Sequence, residues 1–333
     1  MTTIDLPAVS SLIDQRIAAA VRGGLASWPK SLPPWLFYDA AGSRLFDQIT
    51  DLPEYYLTRT EREIFAAHAG EMMARASGAS TAGEGGARLR LIELGAGSAD
   101  KTRLLLAAAV ARQGNLLYEP VDVSATALEA ARERIESELP GVEVAPQVMD
   151  YTNGFELDPV AEGERRLVLY IGSSIGNFEP EEAAALLSRL RAELDAGDGL
   201  LLGVDLRKED SVLLAAYDDA AGVTAAFNRN ILVRLNREFD GDFVPEDFAH
   251  VARWNDAASR IEMHLESRSA QRVRLAALGL DVEFAAGETI HTENSYKYAP
   301  GQVESLLSGA GFSPVERWTD ARERFAVWLG RAE

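Results

Sequence analysis

The chain of 333 residues contains no cysteine. That excludes disulfide staples, a thiolate nucleophile and any cysteine-built metal centre. Histidine is scarce as well, confined to His68, His250, His264 and His291. None of them has the spacing of a helical zinc-ligand pair, so no metal is expected. No apolar run approaches the ~20 residues that a membrane span requires. The start, Met1-Thr2-Thr3-Ile4-Asp5, lacks the basic and then apolar regions of a signal peptide. A cytoplasmic protein is expected. Positive charge is also short, with 33 Lys and Arg against 52 Asp and Glu and a formal charge of −19. Nucleic acid and anionic membrane reward basic side chains, so neither is expected as a partner. No Gly-Lys-Ser or Gly-Lys-Thr occurs, which removes a P-loop.

What is present begins with Leu89-Arg90-Leu91-Ile92-Glu93-Leu94-Gly95-Ala96-Gly97, followed at Leu104 by a run of Leu and Ala. A short apolar run predicts a buried strand, the two glycines a tight turn, and the run after it a helix. Glycines there let backbone approach a ligand, and the helix N-terminus behind them favours anionic or polar groups. By itself this turn fits dinucleotide, S-adenosylmethionine or no ligand at all.

The same alternation continues. Strands are predicted over 115–122, 142–149, 166–171 and 199–206, with helices from Ser124 and from Pro180 to about Leu194 between them. Apolar strands alternating with helices predict a parallel, doubly wound sheet covered on both faces. Such sheets bind ligands at the carboxyl ends of their strands, where Gly95, Asp122, Asp150 and Asn177 all fall. After Asp205 the pattern changes. An amphipathic helix carries Val223, Phe227, Ile231, Leu235 and Phe239, and period-two alternation over 260–266, 273–275, 282–284 and 290–292 predicts an inserted antiparallel sheet. A helix over 300–311 and two final strands, 314–318 and 324–329, close the chain. The opening 35 residues read as a helix from about Ser10 to Leu25 and a Pro-rich connection, and residues 77–87 as a flexible lead-in.

A nicotinamide-binding turn wants a third glycine soon after the second, where Ser98, Ala99 and Asp100 stand instead. A S-adenosylmethionine site wants a close turn beside the methionine, an acid for the ribose and a polar group beside adenine. Gly95, Asp122 and Asp150-Tyr151 supply these in order. The methyl donor is therefore the favoured ligand.

More specific signatures surround this core. Phe37-Tyr38-Asp39, Gly42-Ser43-x-Leu45-Phe46-Asp47-Gln48-Ile49-Thr50, Leu52-Pro53-Glu54-Tyr55-Tyr56 and Thr58-Arg59-Thr60-Glu61 precede it. Glu93-Leu94-Gly95-x-Gly97, Lys101-Thr102-Arg103, Gly172-Ser173-Ser174-Ile175-Gly176-Asn177 and the run from Tyr217 to Asn228 follow. Together they resemble the histidine-specific methyltransferases, above all the actinobacterial branch, over roughly residues 30–330. The resemblance implies the class I S-adenosylmethionine-dependent methyltransferase fold, α/β and Rossmann-like, whose doubly wound sheet ends in an antiparallel strand. It implies a methyltransferase domain of residues 62–205 and 298–333, and a smaller α+β substrate-binding cap of residues 1–61 and 206–297. The implied activity is trimethylation of the α-amine of L-histidine to hercynine, the first step of ergothioneine biosynthesis, by a chain expected to be monomeric.

By the same similarity Gly95, Lys101, Asp122, Asp150 and Tyr151 line the S-adenosylmethionine site. Tyr55, Asn177 and Tyr217 hold the amino-acid end of histidine, with Tyr38 near the α-amine. Met263, Glu293, Asn294 and Ser295 read the imidazole. Glu293 and Ser295 lie two apart on an extended segment, which sends both side chains to one side. Ala96 and Ala99-Asp100 replace Ser- and Glu-like positions of the family without removing an implied contact. Three other readings stay open on the residues: the same chemistry on another amine such as tryptophan or tyrosine, a nicotinamide oxidoreductase, and a binding scaffold without catalysis.

Overall fold

The computed structural model describes residues 6–79, 85–97, 99–154 and 156–333. The first five residues, part of the 77–87 lead-in and Ser98 of the glycine turn lie outside the described residues. Contacts divide the chain into two compact units, Leu57–Arg207 with Tyr296–Glu333, and Met1–Tyr56 with Lys208–Ser295.

The first of these is built on a mostly parallel sheet. Its strands are β1 (Arg88–Leu94), β2 (Leu116–Asp122), β3 (Val142–Val144), β4 (Glu164–Tyr170), β5 (Gly199–Asp205), β6 (Phe312–Thr319) and β7 (Phe325–Ala332). They lie in the order β6-β7-β5-β4-β1-β2-β3. Strands β1 to β5 pair in parallel, and β7 runs antiparallel to β5 and to β6. This is the class I methyltransferase order. Chain direction across the sheet reverses between β1 and β4, the switch point at which such sheets take their ligands.

Why these segments form central strands is visible in where alternate residues go. Leu167, Leu169 and Leu201 enter one buried cluster with Phe65, Met72, Leu105 and Leu106. Their neighbours Val168, Tyr170, Leu200 and Leu202 enter another with Leu186, Leu190, Val303 and Leu307. Each strand is thus apolar on both faces, one covered by helices Tyr56–Ala76 and Arg103–Gln113, the other by Pro180–Ala192 and Pro300–Gly309. The helix expected from Ser124 runs Ala125–Glu138, with Ser124 Oγ accepting from Ala127 N at 3.3 Å as its cap.

The expected third strand is broken. Val142–Val144 and Gln147–Val148 pair separately with β2. Pro146 falls between them and has no N–H for the ladder.

The second unit holds helices Leu6–Ala26, Ala40–Asp51 and Val223–Phe239, the last burying Phe227, Ile231, Leu235 and Phe239. The first helix begins earlier than Ser10. A four-stranded sheet has the order Lys30–Ser31, Thr289–Tyr296, Arg260–Ser267, Phe248–Asn255, and Gln271–Leu275 pairs apart with Leu280–Phe284. Strand Phe248–Asn255 and helix Asp210–Tyr217 are missed by periodicity. In the strand only Phe248 is fully buried, so no alternation exists to be read. Among the described residues, no helix is long and apolar enough to cross a membrane.

Candidate active site

At the carboxyl end of β1, Gly95 has φ +70 and Gly97 φ +51, a left-handed path that side chains disfavour. Gly95 N–H donates to the Val121 carbonyl at 2.8 Å, which holds the turn against the end of β2. A Cβ on Gly95 would stand 3.3 Å from the Tyr151 hydroxyl, so the glycine is what leaves this cradle open. Asp122 closes β2. Its Oδ2 accepts from Gly97 N at 3.0 Å and its Oδ1 from Ser124 N at 3.0 Å. Each oxygen keeps a second lone pair, enough to take a ribose hydroxyl. Asp150 Oδ1 accepts from the backbone and hydroxyl of Thr152 at 3.0 and 2.6 Å, capping the short turn Tyr151–Asn153. The Tyr151 ring lies edge-on to Tyr170, their centroids 5.8 Å apart. Lys101 Nζ pairs with Glu61 at 2.5 Å. Asn177 ends the turn Ser174–Asn177 beyond β4, in the same unit. A glycine cradle, a carboxylate with lone pairs to spare and a polar turn at the carboxyl ends of the strands have the chemistry an adenosyl methyl donor needs.

In the other unit Tyr38, Tyr55 and Tyr217 belong to one aromatic row. Tyr38 meets Phe46 edge-on at 5.7 Å, Phe46 meets Tyr55 at 6.2 Å, and Tyr55 meets Tyr217 at 6.3 Å. Tyr38, 36% exposed, is the open end of the row, whereas Tyr55 and Tyr217 are buried. The Tyr217 hydroxyl then hydrogen bonds to Ser295 Oγ at 2.7 Å. Strand Thr289–Tyr296 so delivers Ser295 to the end of the tyrosine row, with Glu293 half-buried two residues earlier. Met263 is fully buried on the adjacent strand, and its carbonyl lies 3.0 Å from Thr292 Oγ1. Asn294 is engaged within the protein, its Oδ1 accepting from His291 Nε2 at 2.9 Å. Among the described residues no three acidic or histidine side chains group so as to hold a metal ion.

A family model described as histidine-specific methyltransferase, SAM-dependent, matches residues 17–332. The chain belongs to the histidine-specific methyltransferase family. Among its relatives, the histidine N-alpha-methyltransferase of Mycolicibacterium smegmatis is 49% identical over 93% of this chain and 92% of its own length. That of Mycobacterium tuberculosis is 46% identical over the same shares. An ergothioneine biosynthesis protein 1 of Neurospora crassa is 31% identical over 89% of this chain and 32% of its own.

Three further buried polar groups, Glu61, Glu93 and Asn228, are absent from the expected site residues. Glu61 and Glu93, buried acids within quoted signatures, flank Lys101. Glu93 Oε1 accepts from Thr102 Oγ1 at 2.8 Å, and Oε2 from the Tyr118 hydroxyl. Burial still outweighs these bonds and pushes its carboxyl up to about 7. Asn228 is the third. Its amide bonds to the His264 carbonyl at 3.0 Å and to His250 Nδ1 at 2.9 Å, while its Oδ1 lies 2.8 Å from Thr292 Oγ1. His250 Nε2 donates in turn to the Tyr217 carbonyl at 2.8 Å, and burial lowers its pKa so that the ring stays neutral. This buried chain ties Tyr217 to the strand that carries Glu293 and Ser295. Asn228 ends the run from Tyr217 that the sequence displays, and its place among Phe227, Ile231 and Leu235 on the buried helix face was the available signal.

Proposed function

We propose that this chain methylates the α-amine of L-histidine three times from S-adenosylmethionine, giving hercynine, the opening step of ergothioneine biosynthesis. The observation that carries the reading is 49% identity, over nearly the whole of both chains, to a histidine N-alpha-methyltransferase. Gly95, Lys101, Asp122, Asp150 and Tyr151 would hold the donor. Tyr55, Asn177 and Tyr217 would bind the amino and carboxylate end of histidine, with Tyr38 beside the α-amine. Glu293, Asn294 and Ser295 would address the imidazole, and Met263 would wall its ring.

When bound, S-adenosylmethionine supplies a methyl group made electrophilic by its sulfonium. The protein's part is alignment. The α-amine must be neutral with its lone pair in line with the methyl carbon at about 3 Å, and polar groups that fix the amino-acid end set that direction. No side chain needs to form a covalent bond, and Tyr38 and Asn177 would orient the amine. A neutral imidazole offers an N–H donor that the Glu293 carboxylate can accept, a charge-assisted bond. Substrates lacking such a donor would forgo that bond, which is how polar pockets favour polar substrates over apolar analogues. The series ends when the nitrogen carries three methyl groups and no lone pair.

Mass spectrometry after incubation with histidine and S-adenosylmethionine tests the reading through successive gains of one, two and three methyl groups. Methylation of tryptophan or tyrosine in preference to histidine would replace it with the same chemistry on another amine. Calorimetric binding of NADH rather than S-adenosylhomocysteine would replace it with a nicotinamide enzyme.

A further inference from the structure

Glu61 closes the signature Thr58-Arg59-Thr60-Glu61. Glu61 sits in the first turns of helix Tyr56–Ala76 and is fully buried. Its Oε2 accepts from Lys101 Nζ at 2.5 Å, and its Oε1 accepts from the backbone N–H of Gly172 at 2.8 Å. Lys101 follows the glycine turn of β1, and Gly172 opens the turn beyond β4 that ends at Asn177. One carboxylate therefore bridges the carboxyl ends of the two strands that flank the switch point.

The surroundings are shaped to admit it. A Cβ on Gly203 of β5 would lie 2.3 Å from Glu61 Oε1, and one on Gly172 would lie 2.6 Å from Lys101 Nζ. Both glycines leave room for the ion pair. The pair is also asymmetric, since the Glu61 side chain has no exposure and that of Lys101 keeps 21%. An ammonium has three N–H donors, and Glu61 takes one of them on a side chain that is still partly exposed. Burying a carboxylate is costly unless both oxygens are satisfied. Here one oxygen is satisfied by the donor half of the site and the other by the turn of Asn177.

We propose that Glu61 is a positioning residue for methyl transfer, fixing Lys101 for the donor and the 172–177 turn for the acceptor through one carboxylate. The proposal rests on Lys101 belonging to the donor site, as read above. Glu61 touches neither ligand and acts through those two groups.

The test is a double-mutant cycle on the full chain. S-Adenosylhomocysteine is titrated calorimetrically against wild type, Glu61→Gln, Lys101→Ala and the double variant, beside steady-state kinetics for both substrates. Glu61→Gln should weaken S-adenosylhomocysteine roughly ten- to hundredfold, the range for one charge-assisted bond. It should raise KM for S-adenosylmethionine by more than it lowers kcat. The double variant should bind within about twofold of Lys101→Ala, because the two residues act as one unit. Should Glu61→Gln fail to fold, Gly203→Ala displaces the same carboxylate and should weaken binding in the same way. Wild-type affinity in both Glu61→Gln and Gly203→Ala, or multiplicative losses in the double variant, would overturn the role of Glu61 alone. Wild-type affinity in Lys101→Ala would overturn the placement of Lys101, and the proposal with it.

Discussion

Tyr217 Oη and Ser295 Oγ, 78 residues apart in sequence, share a hydrogen bond of 2.7 Å in the interior of one unit. Each is a residue that the family resemblance assigns to a different end of histidine. Their bond makes the amino-acid end and the imidazole end of the proposed pocket parts of one polar chain, which runs back through the Tyr217 carbonyl to His250 and Asn228. Ser295→Ala and Tyr217→Phe should each raise KM for histidine about fivefold, the scale of one lost hydrogen bond of ~1 kcal/mol. Their combination should cost less than the product of the single effects. Steady-state kinetics in histidine, with S-adenosylhomocysteine affinity unchanged as the control, measures this.

The two glycines of the opening turn differ in a way that can be tested. Gly95 and Gly97 both have positive φ, and alanine at either position carries a conformational cost of ~1–2 kcal/mol. A Cβ on Gly95 would also stand 3.3 Å from the Tyr151 hydroxyl, whereas one on Gly97 meets nothing within 4 Å. Gly95→Ala should therefore lower the melting temperature more than Gly97→Ala does. It should also weaken S-adenosylhomocysteine at least tenfold by shifting Tyr151. Equal melting temperatures would show that Tyr151 yields without cost.

Much of this arrangement is legible in the sequence because it rests on local pattern. The strands around Leu91, Val168 and Leu201 each centre on a short apolar run, and the first two are followed by a turn and a helix with its own stop. The donor turn is likewise written in consecutive residues. What stays hidden depends on partners far along the chain. Glu61 looks like any acid early in a helix until Lys101 and the Gly172 N–H are brought to it. Asn228 gains its role only from His250 and Thr292. The strand Phe248–Asn255 escapes because most of its residues are only partly covered and none of the alternation survives. Pro146 could have marked the break in the third strand, since it lacks the N–H that a ladder uses.

Glu93 gives the protein a pH dependence of definite sign. Burial raises its carboxyl from 4.5 to about 7, against the opposing bonds from Tyr118 and Thr102. Between those values the folded chain holds a proton that the unfolded chain has lost. Its contribution to stability is thus complete at low pH and declines as pH rises through about 7, by ~3 kcal/mol at most. His264 works the other way. Burial and the neighbouring His291 push its imidazole down to about 4, so its contribution is present above 6.5 and lost as pH falls toward 4. Glu93→Gln removes only the first slope. Melting temperatures of Glu93→Gln and wild type should therefore diverge in favour of the variant between pH 5 and pH 8, and a constant difference would contradict the buried protonated acid.

The last prediction concerns Lys297 and Asp205, an ion pair of 2.9 Å in which neither side chain has any exposure. Asp205 ends β5, and its N–H donates to Ser173 Oγ at 2.9 Å. Ser173 itself has φ +61, a left-handed conformation that costs about 1–2 kcal/mol for a side-chain-bearing residue. Asp205 thus contacts Ser173 next to Gly172, whose N–H donates to Glu61. Lys297→Met would leave a buried carboxylate without its countercharge, a loss of about 3–5 kcal/mol of stability. Replacing Asp205 by Leu at the same time removes the stranded charge, so the double variant should be more stable than Lys297→Met alone. Urea unfolding of the three proteins decides it. If Lys297→Met unfolds at the wild-type midpoint, Asp205 draws its compensation from other groups and the pair is not what holds the end of β5.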